Sequence, residues 1–315
     1  MRNLVEADVL NPASSPTTSL DAAYAECERL AGRDKPHLYA AANLFERREV
    51  RRAFVATYAS MRLIDDAIDG IPQRERLTDD QQKLELGRVA HWLAQVEASH
   101  RGAPVDGLIW IALSDTFSRF AFPLDPWVNL GKAMSSDVVV SSFETWDDLR
   151  HYMQGASVAP AIVFMYLVLM RSDQNGAFRT SWSFERVQAA TEDLAIFCYC
   201  VHILRDVAVD LELGGSGLIY LPKQELRLFG LTDGDLYAMR EKGRGNDAFF
   251  DLASFQAIRA REHLARGRAA MSAVLAEAEP SNGRALATLV DTYERILNDL
   301  QDRNFDVFGK MAAVK

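Results

Sequence analysis

A chain of 315 residues, 49% hydrophobic and 25% charged, has a globular composition that excludes a disordered protein, and it is long enough to bury one large core. Its net charge of −9, without a Lys/Arg-rich run, excludes a nucleic-acid-binding surface. Cys27, Cys198 and Cys200 form neither a disulfide framework nor a CxxC metal pair, so a reducing, cytoplasmic compartment is expected.

Residues 1–18 are rich in Pro, Ser and Thr and read as a loose N-terminal tail, without the apolar stretch of a signal peptide. From Ser19 onward helical periodicity recurs over 19–31, 36–69, 78–100, 106–120, 124–138, 144–171, 182–213, 245–278 and 281–308, with short helices near 223–229 and 232–242. No strand-like alternation is found. Thr78-Asp-Asp, Thr145-Trp-Asp-Asp and Ser183-Phe-Glu carry the signature of helix N-termini. Ser172-Asp-Gln-Asn-Gly176 and Glu279-Pro-Ser-Asn-Gly283 read as loops. The longest apolar run, Val158 to Met170, contains Pro160 and is too short to span a bilayer, so it reads as a buried core helix. Cys198 and Cys200 sit in an apolar helix as small core residues. With no linker and no repeat, residues 19–315 are expected to form a single all-α domain.

Two acidic helix ends stand apart. Tyr58, Arg62, Asp65 and Asp69 share one face of a helix that closes at Gly70 and Pro72. Tyr199, His202, Asp206 and Asp210 share one face of another that ends before Gly214-Gly215. Carboxylates one turn apart repel, and a helix C-terminus is already the negative end of its dipole. Taken singly, either D-x-x-x-D could be a solvated face or pair with a neighbouring Arg. Two copies in matching apolar surroundings point to a bound cation. Four carboxylates suit Mg²⁺, which takes oxygen ligands and shares them with phosphate. A di-iron carboxylate bundle would need Glu-x-x-His on two helices, and only Glu97-Ala-Ser-His100 fits.

These residues resemble the squalene/phytoene synthase family. Asp65-Asp-Ala-Ile-Asp69 is similar to its first aspartate-rich motif, and Ile203-Leu-Arg-Asp-Val-Ala-Val-Asp210 followed by Ile219-Tyr-Leu-Pro222 to its second. Tyr58-x-x-x-Arg62, Gly155-Ala-Ser-Val158 after Tyr152, and Tyr293-Glu-Arg-Ile-Leu297 fall where the family carries similar segments. The resemblance implies an isoprenoid synthase-type helical bundle around a central cavity, joining two prenyl diphosphates head to head through a cyclopropylcarbinyl diphosphate. It implies two or three Mg²⁺ ions held with the substrate diphosphate by Asp65, Asp69, Asp206 and Asp210. Asp66 points about 100° away from Asp65 and is set aside. Substrate contacts are expected from Tyr58, Arg62, Tyr152, His202, Arg205, Tyr220 and Tyr293; for the two arginines a structural salt bridge to the adjacent acids is the competing reading. Prenyl diphosphates are the expected partners, with peripheral membrane contact for greasy substrate and product and no obligate protein partner. Some relatives reduce the intermediate with NADPH. The chain lacks a Gly-rich dinucleotide fingerprint, but so do the family's reductive members, which leaves NADPH open.

Three departures stand out. The family's Ser-x-Ser-Phe-like segment is Pro36-His-Leu-Tyr39 here, its Gln-x-x-Asn is Tyr199-x-x-His202, and its Gly-Arg before Tyr-Leu-Pro is Gly217-Leu218 after the added Gly214-Gly-Ser216. Farnesyl diphosphate is favoured over geranylgeranyl diphosphate because the second motif looks closer to bacterial hopanoid-pathway members. The alternatives are a class I terpene synthase-like enzyme ionising a single prenyl diphosphate and a non-catalytic helical protein that binds prenyl lipid.

Overall fold

Three helices open on the hydrogen-bonded caps that the sequence announces. The hydroxyls of Thr78, Thr145 and Ser183 accept from the backbone N–H of Gln81, Asp148 and Arg186, and the first two complete capping boxes. The computed structural model describes residues 20–33, 36–71, 77–140, 142–211 and 218–309; the expected tail, Pro72 and the Gly214–Gly217 segment lie outside the described residues.

The elements in order are α1 (Leu20–Ala31), α2 (Pro36–Ala42), α3 (Arg48–Asp69), α4 (Asp79–His100), α5 (Leu108–Arg119), α6 (Asp125–Val139) and α7 (Trp146–Met153). A π turn, Gln154–Val158, leads into α8 (Ala159–Leu169). A hairpin of β1 (Arg171–Ser172) and β2 (Phe178–Arg179) precedes α9 (Phe184–Asp210), α10 (Lys223–Leu228), α11 (Asp233–Lys242), α12 (Asp247–Glu277) and α13 (Pro280–Asp302). The architecture is the expected all-α bundle.

Helix α8 has no polar face, as a helix enclosed on all sides requires, and residues 162–169 are all buried. Around it, hydrogen bonds fix the direction of the neighbouring helices. Arg47, at the start of α3, donates to Ser172 just past α8 (2.9 Å) and pairs with Glu279 just before α13 (3.6 Å). Asn282 in the first turn of α13 donates to the carbonyl of Leu167 (3.2 Å), and Trp182, ahead of α9, donates to Glu277 (2.7 Å). The starts of α3, α9 and α13 therefore meet the end of α8, and these three helices run together toward the opposite end.

The structure corrects several sequence expectations. The segment 36–69 is broken between α2 and α3, where i→i+3 bonds from Leu44 and Phe45 close α2; apolar Leu44 and Phe45 carry the periodicity across the break. Glu279–Gly283 is no loop: Pro280 occupies the first turn of α13, where its missing N–H costs nothing. Gly283 packs on Leu275, whose Cδ2 would lie 3.2 Å from an added Cβ. The helix expected over 144–171 contains the π turn. The last helix stops at Asp302, and Asn304 (φ 50°) and Phe305 (φ 56°) turn the chain so that Phe305, Val307 and Phe308 return to the core. The β1–β2 hairpin is two residues per strand, too short to register as alternation, and is held by the Asp173 carboxylate accepting from the N–H groups of Asn175 and Ala177.

Two helical stretches, Trp146–Leu169 and Phe184–Asp210, are long and apolar enough to cross a membrane, but 72% and 61% of their apolar windows are buried inside the protein, as core helices are. Cys200 is buried and its thiol is pushed up to about 12 by desolvation, whereas Cys198 lies on the wall of the central cavity.

Candidate active site

The parallel run of α3, α9 and α13 beside α8 leaves a cavity of about 860 Å³, large for a small-molecule pocket. Its walls are apolar: Met61 from α3, Ala161, Val163 and Phe164 from α8, Leu194 and Ala195 from α9, Leu286 and Val290 from α13. Three aliphatic hydroxyls occur in this lining, and each is turned back onto a backbone carbonyl. Thr57 donates to Ala53 (2.8 Å), Thr191 to Val187 (2.7 Å) and Ser157 to Ala195 (3.0 Å).

Polarity is concentrated where α3 and α9 end. Tyr58, Arg62, Asp65, His202, Arg205, Asp206 and Tyr293 all line the same cavity, so seven of the expected site residues, drawn from three helices, are brought together. Arg62 bonds Asp65 (2.5 Å) and also Asp66, which is shared with Arg33 (3.2 Å). On α9, Arg205 grips Asp206 through Nε (2.7 Å) and Nη2 (2.6 Å), and His202 Nε2 stands 3.3 Å from the same carboxylate. The Asp206 hydrogen bond holds the Arg205 guanidinium above its ordinary pKa. The salt-bridge geometry read as an alternative for both arginines is thus present, at the mouth of the cavity. In the altered segment 36–39, His37 and Leu38 line the cavity, while Tyr39 turns away to Glu28.

The remaining expected residues sit behind this mouth. Tyr152, buried, and Tyr220 join Tyr199, both half-buried, in a cluster with ring centroids 6.0 to 6.3 Å apart. Burial pushes all three phenols well above their ordinary pKa, keeping them neutral donors. The Tyr152 hydroxyl donates to Asp137 Oδ2 (2.8 Å), and Tyr199 stacks on His202 with centroids 5.8 Å apart. The charge of Asp65 acts on Tyr199, and those of Asp69 and Asp210 act on Tyr220, which shares a small pocket with Asp210. Asp69 and Asp210 do not line the large cavity itself.

Sequence reasoning passed over Asp137, His37 and Arg33. Asp137 had a signal, a lone acid leading the apolar run Val138-Val-Val140 on α6. His37 had one in the altered segment Pro36-His-Leu-Tyr39, whereas Arg33 had none, since its place at the mouth depends on how α1 docks.

Donor chemistry decides whether a divalent cation fits. Asp65 and Asp206 offer carboxylate oxygens from two helices at one mouth, with tyrosine hydroxyls behind. Among the described residues no three Asp, Glu, His or Cys side chains gather into a preformed cage. Paired carboxylates of this kind suit a hard cation that completes its shell with substrate phosphate and water.

The squalene/phytoene synthase family model matches residues 33–315. The chain is 30% identical over 269 residues to "Phytoene synthase 1, chloroplastic" of Arabidopsis thaliana, covering 84% of this chain but 57% of that protein. It is 26% identical over 307 residues to the 15-cis-phytoene synthase of a Synechocystis strain, covering 96% of this chain and 84% of the relative. Among solved structures, squalene synthase HpnC from Alicyclobacillus acidocaldarius superposes with a TM-score of 0.71 at 22% identity, covering 91% of this chain and 95% of that one. A dehydrosqualene synthase in complex with ligand gives a TM-score of 0.74 at 19% identity, covering 96% and 94%. At these identities the two structures establish the fold.

Proposed function

Because the chain belongs to the squalene/phytoene synthase family, a family of prenyltransferases, we propose that its cavity takes two prenyl diphosphates, farnesyl in preference to geranylgeranyl, and condenses them head to head. The observation that carries this reading is the position of Asp65 and Asp206. They come from separate helices, each beside an arginine, at the mouth of one apolar cavity.

Mg²⁺ held by Asp65, Asp69, Asp206 and Asp210 would neutralise the leaving diphosphate and so assist rupture of the allylic C–O bond. Arg62 and Arg205 add fixed positive charge at the same place, where diphosphate charge develops. The rings of Tyr58 and Tyr293, on the cavity wall, are aromatic groups that can stabilise the allylic cation. The double bond of the second substrate attacks that cation, and loss of a proton closes the cyclopropane. A second ionisation releases the other diphosphate, and the rearranged cation either loses a proton, giving a dehydrosqualene- or phytoene-type product, or takes a hydride from NADPH, giving a squalene-type one. The walls serve the same chemistry by exclusion: the aliphatic hydroxyls of Thr57, Ser157 and Thr191 are committed to backbone carbonyls and most other wall groups are apolar, which limits the nucleophiles near the cation.

Incubation of the purified protein with radiolabelled farnesyl diphosphate and Mg²⁺, followed by product analysis, tests this. A product of doubled carbon number is expected. A C15 alcohol or cyclic product would replace the reading with single-substrate ionisation. Absence of turnover, together with unchanged stability on chelation, would remove the enzyme reading altogether.

A further inference from the structure

Outside the cavity the protein buries an ion pair that the chemistry of the mouth does not use. Glu225, in the first turn of α10, is 7% exposed. Arg259 of α12 donates to both of its oxygens, through Nη2 to Oε1 (2.6 Å) and through Nη1 to Oε2 (3.2 Å), and Gln256 donates to Oε2 as well. The Arg259 guanidinium also lies over the ring of Trp146, the first residue of α7, at 4.1 Å. One side chain of α12 thus holds the starts of α7 and α10 together. The segments around these starts lie side by side. The N–H groups of Lys223 and Gln224 donate to the carbonyls of Phe143 (2.9 Å) and Glu144 (3.0 Å), and Ser142 pairs with Ile219. Each segment carries one member of the tyrosine cluster, Tyr220 ahead of Glu225 and Tyr152 on α7 after Trp146. The Phe143 ring packs on both, 5.0 Å from Tyr152 and 6.1 Å from Tyr220. Glu225, Arg259 and Trp146 do not line the central cavity.

We propose that Arg259 is a positioning residue for catalysis: by gripping Glu225 and Trp146 together, it fixes the spacing of Tyr220 and Tyr152 behind the acidic mouth. The proposal rests on the prenyltransferase reading of the cavity and adds to it a residue that touches no substrate. Replacing a buried ion pair by apolar residues of similar volume is often neutral in stability, so filling this part of the core does not require one. What an apolar contact lacks is direction. A bidentate guanidinium–carboxylate pair holds two groups in one plane, and stacking on Trp146 fixes that plane to α7. The contacts lead from there to the reacting end. The charges of Asp69 and Asp210 act on Tyr220, and the Tyr199 hydroxyl reaches both Tyr152 and Tyr220. A displacement of about 1 Å at such groups can cost roughly 100-fold in rate, even when its cause lies far from the chemistry.

The test begins with Arg259→Lys in the full chain, which keeps the charge but loses the fork and the flat stacking face. With farnesyl diphosphate and Mg²⁺, its kcat per folded molecule is expected to fall roughly 10- to 100-fold. KM is expected to stay within about 2-fold, the pattern of an interaction that matters only in the transition state. The paired variant Glu225→Leu/Arg259→Met keeps the core filled. It is expected to regain the thermal stability that Glu225→Leu alone loses, and yet to keep the low kcat. In a cycle of Arg259→Lys with Tyr220→Phe, the losses in kcat are expected to be less than additive, because Arg259 acts through that tyrosine. Hydrogen exchange reads the brace without chemistry: in Arg259→Lys, residues 142–153 and 218–226 are expected to lose protection while α3 and α13 keep theirs. Wild-type kcat in either folded variant, a loss confined to KM, strict additivity with Tyr220→Phe, or unchanged exchange would each overturn the role of Arg259. If the wild-type protein turns over no prenyl diphosphate but the two segments still lose protection in Arg259→Lys, the positioning of the tyrosines stands and the condensation reading fails.

Discussion

The Tyr152 hydroxyl donates a 2.8 Å hydrogen bond to the carboxylate of Asp137, a side chain on a residue only 2% exposed. This bond joins α6 to α7 directly beneath the tyrosine cluster. Through Tyr152 it orients Tyr199, whose hydroxyl is within hydrogen-bond reach of Tyr152 and Tyr220. Asp137→Ala leaves a buried phenol without its acceptor and is expected to cost about 1–3 kcal/mol. Asp137→Asn, which keeps a carbonyl acceptor, is expected to recover most of that loss. In a cycle with Tyr152→Phe, the two losses in kcat are expected to be less than additive, because either substitution alone releases the cluster. Strict additivity in kcat would sink the coupling.

Asp65→Ala and Asp206→Ala are each expected to abolish turnover while helix content by circular dichroism stays intact. Asp66→Ala is expected to be far milder, since Asp66 is turned toward Arg33 and Arg62. Product formation per unit of folded protein provides the measurement, and full activity in either of the first two variants would refute the assignment of metal ligands.

His37 occupies a basic part of the mouth. Burial lowers its pKa first, followed by the charges of Arg205 on α9 and Arg295 on α13. Arg33, Asp206 and His202 line the same mouth. A lowered folded-state pKa means that the native protein disfavours the imidazolium. The contribution of His37 to stability is therefore intact above the ordinary value of 6.5 and declines as pH falls below it. Diphosphate reverses the preference by supplying negative charge, so binding should take up a proton. Affinity for inorganic pyrophosphate is expected to rise as pH falls toward and below 6.5, and His37→Ser is expected to flatten that slope. Calorimetric titration in buffers of different ionisation enthalpy checks the proton uptake; an equal uptake in His37→Ser would remove His37 from the linkage.

The legible part of the site was what one helix can carry by itself. Spacing of four and three residues puts Tyr58, Arg62 and Asp65 on one face wherever that helix goes, and the same holds for His202 and Asp206. Capping residues announced three helix starts for the same local reason. What escaped depends on distances between elements. The Asp137–Tyr152 bond spans 15 residues, and the Phe54–Phe164 contact joins α3 to α8. Leu44 and Phe45 concealed a break by keeping an apolar rhythm, and Pro280 with Gly283 suggested a loop where a helix begins. In each case the residue satisfies a tertiary contact that a one-dimensional pattern does not contain.

Gly155 offers a test of how tightly that tertiary packing controls the site. It lies in the π turn, the kind of interruption that often accompanies function. A Cβ added there would stand 2.4 Å from the Asn129 carbonyl oxygen and 2.7 Å from the Ala133 Cβ, both on α6. Because one of those atoms is backbone, relief requires the helices to part. Gly155→Ala is therefore expected to cost about 1–3 kcal/mol by overpacking. Its neighbours Ala156 and Ser157 line the cavity, so turnover per folded molecule is expected to fall as well. Gly87 provides the contrast, exposed in the middle of α4, where an added Cβ would meet nothing within 4 Å. Gly87→Ala should be neutral or stabilising by up to about 1 kcal/mol, the helix-propensity difference. Urea unfolding of both variants, with activity normalised to folded protein, separates the two effects; equal behaviour at the two glycines would show that the π turn is not clamped against α6.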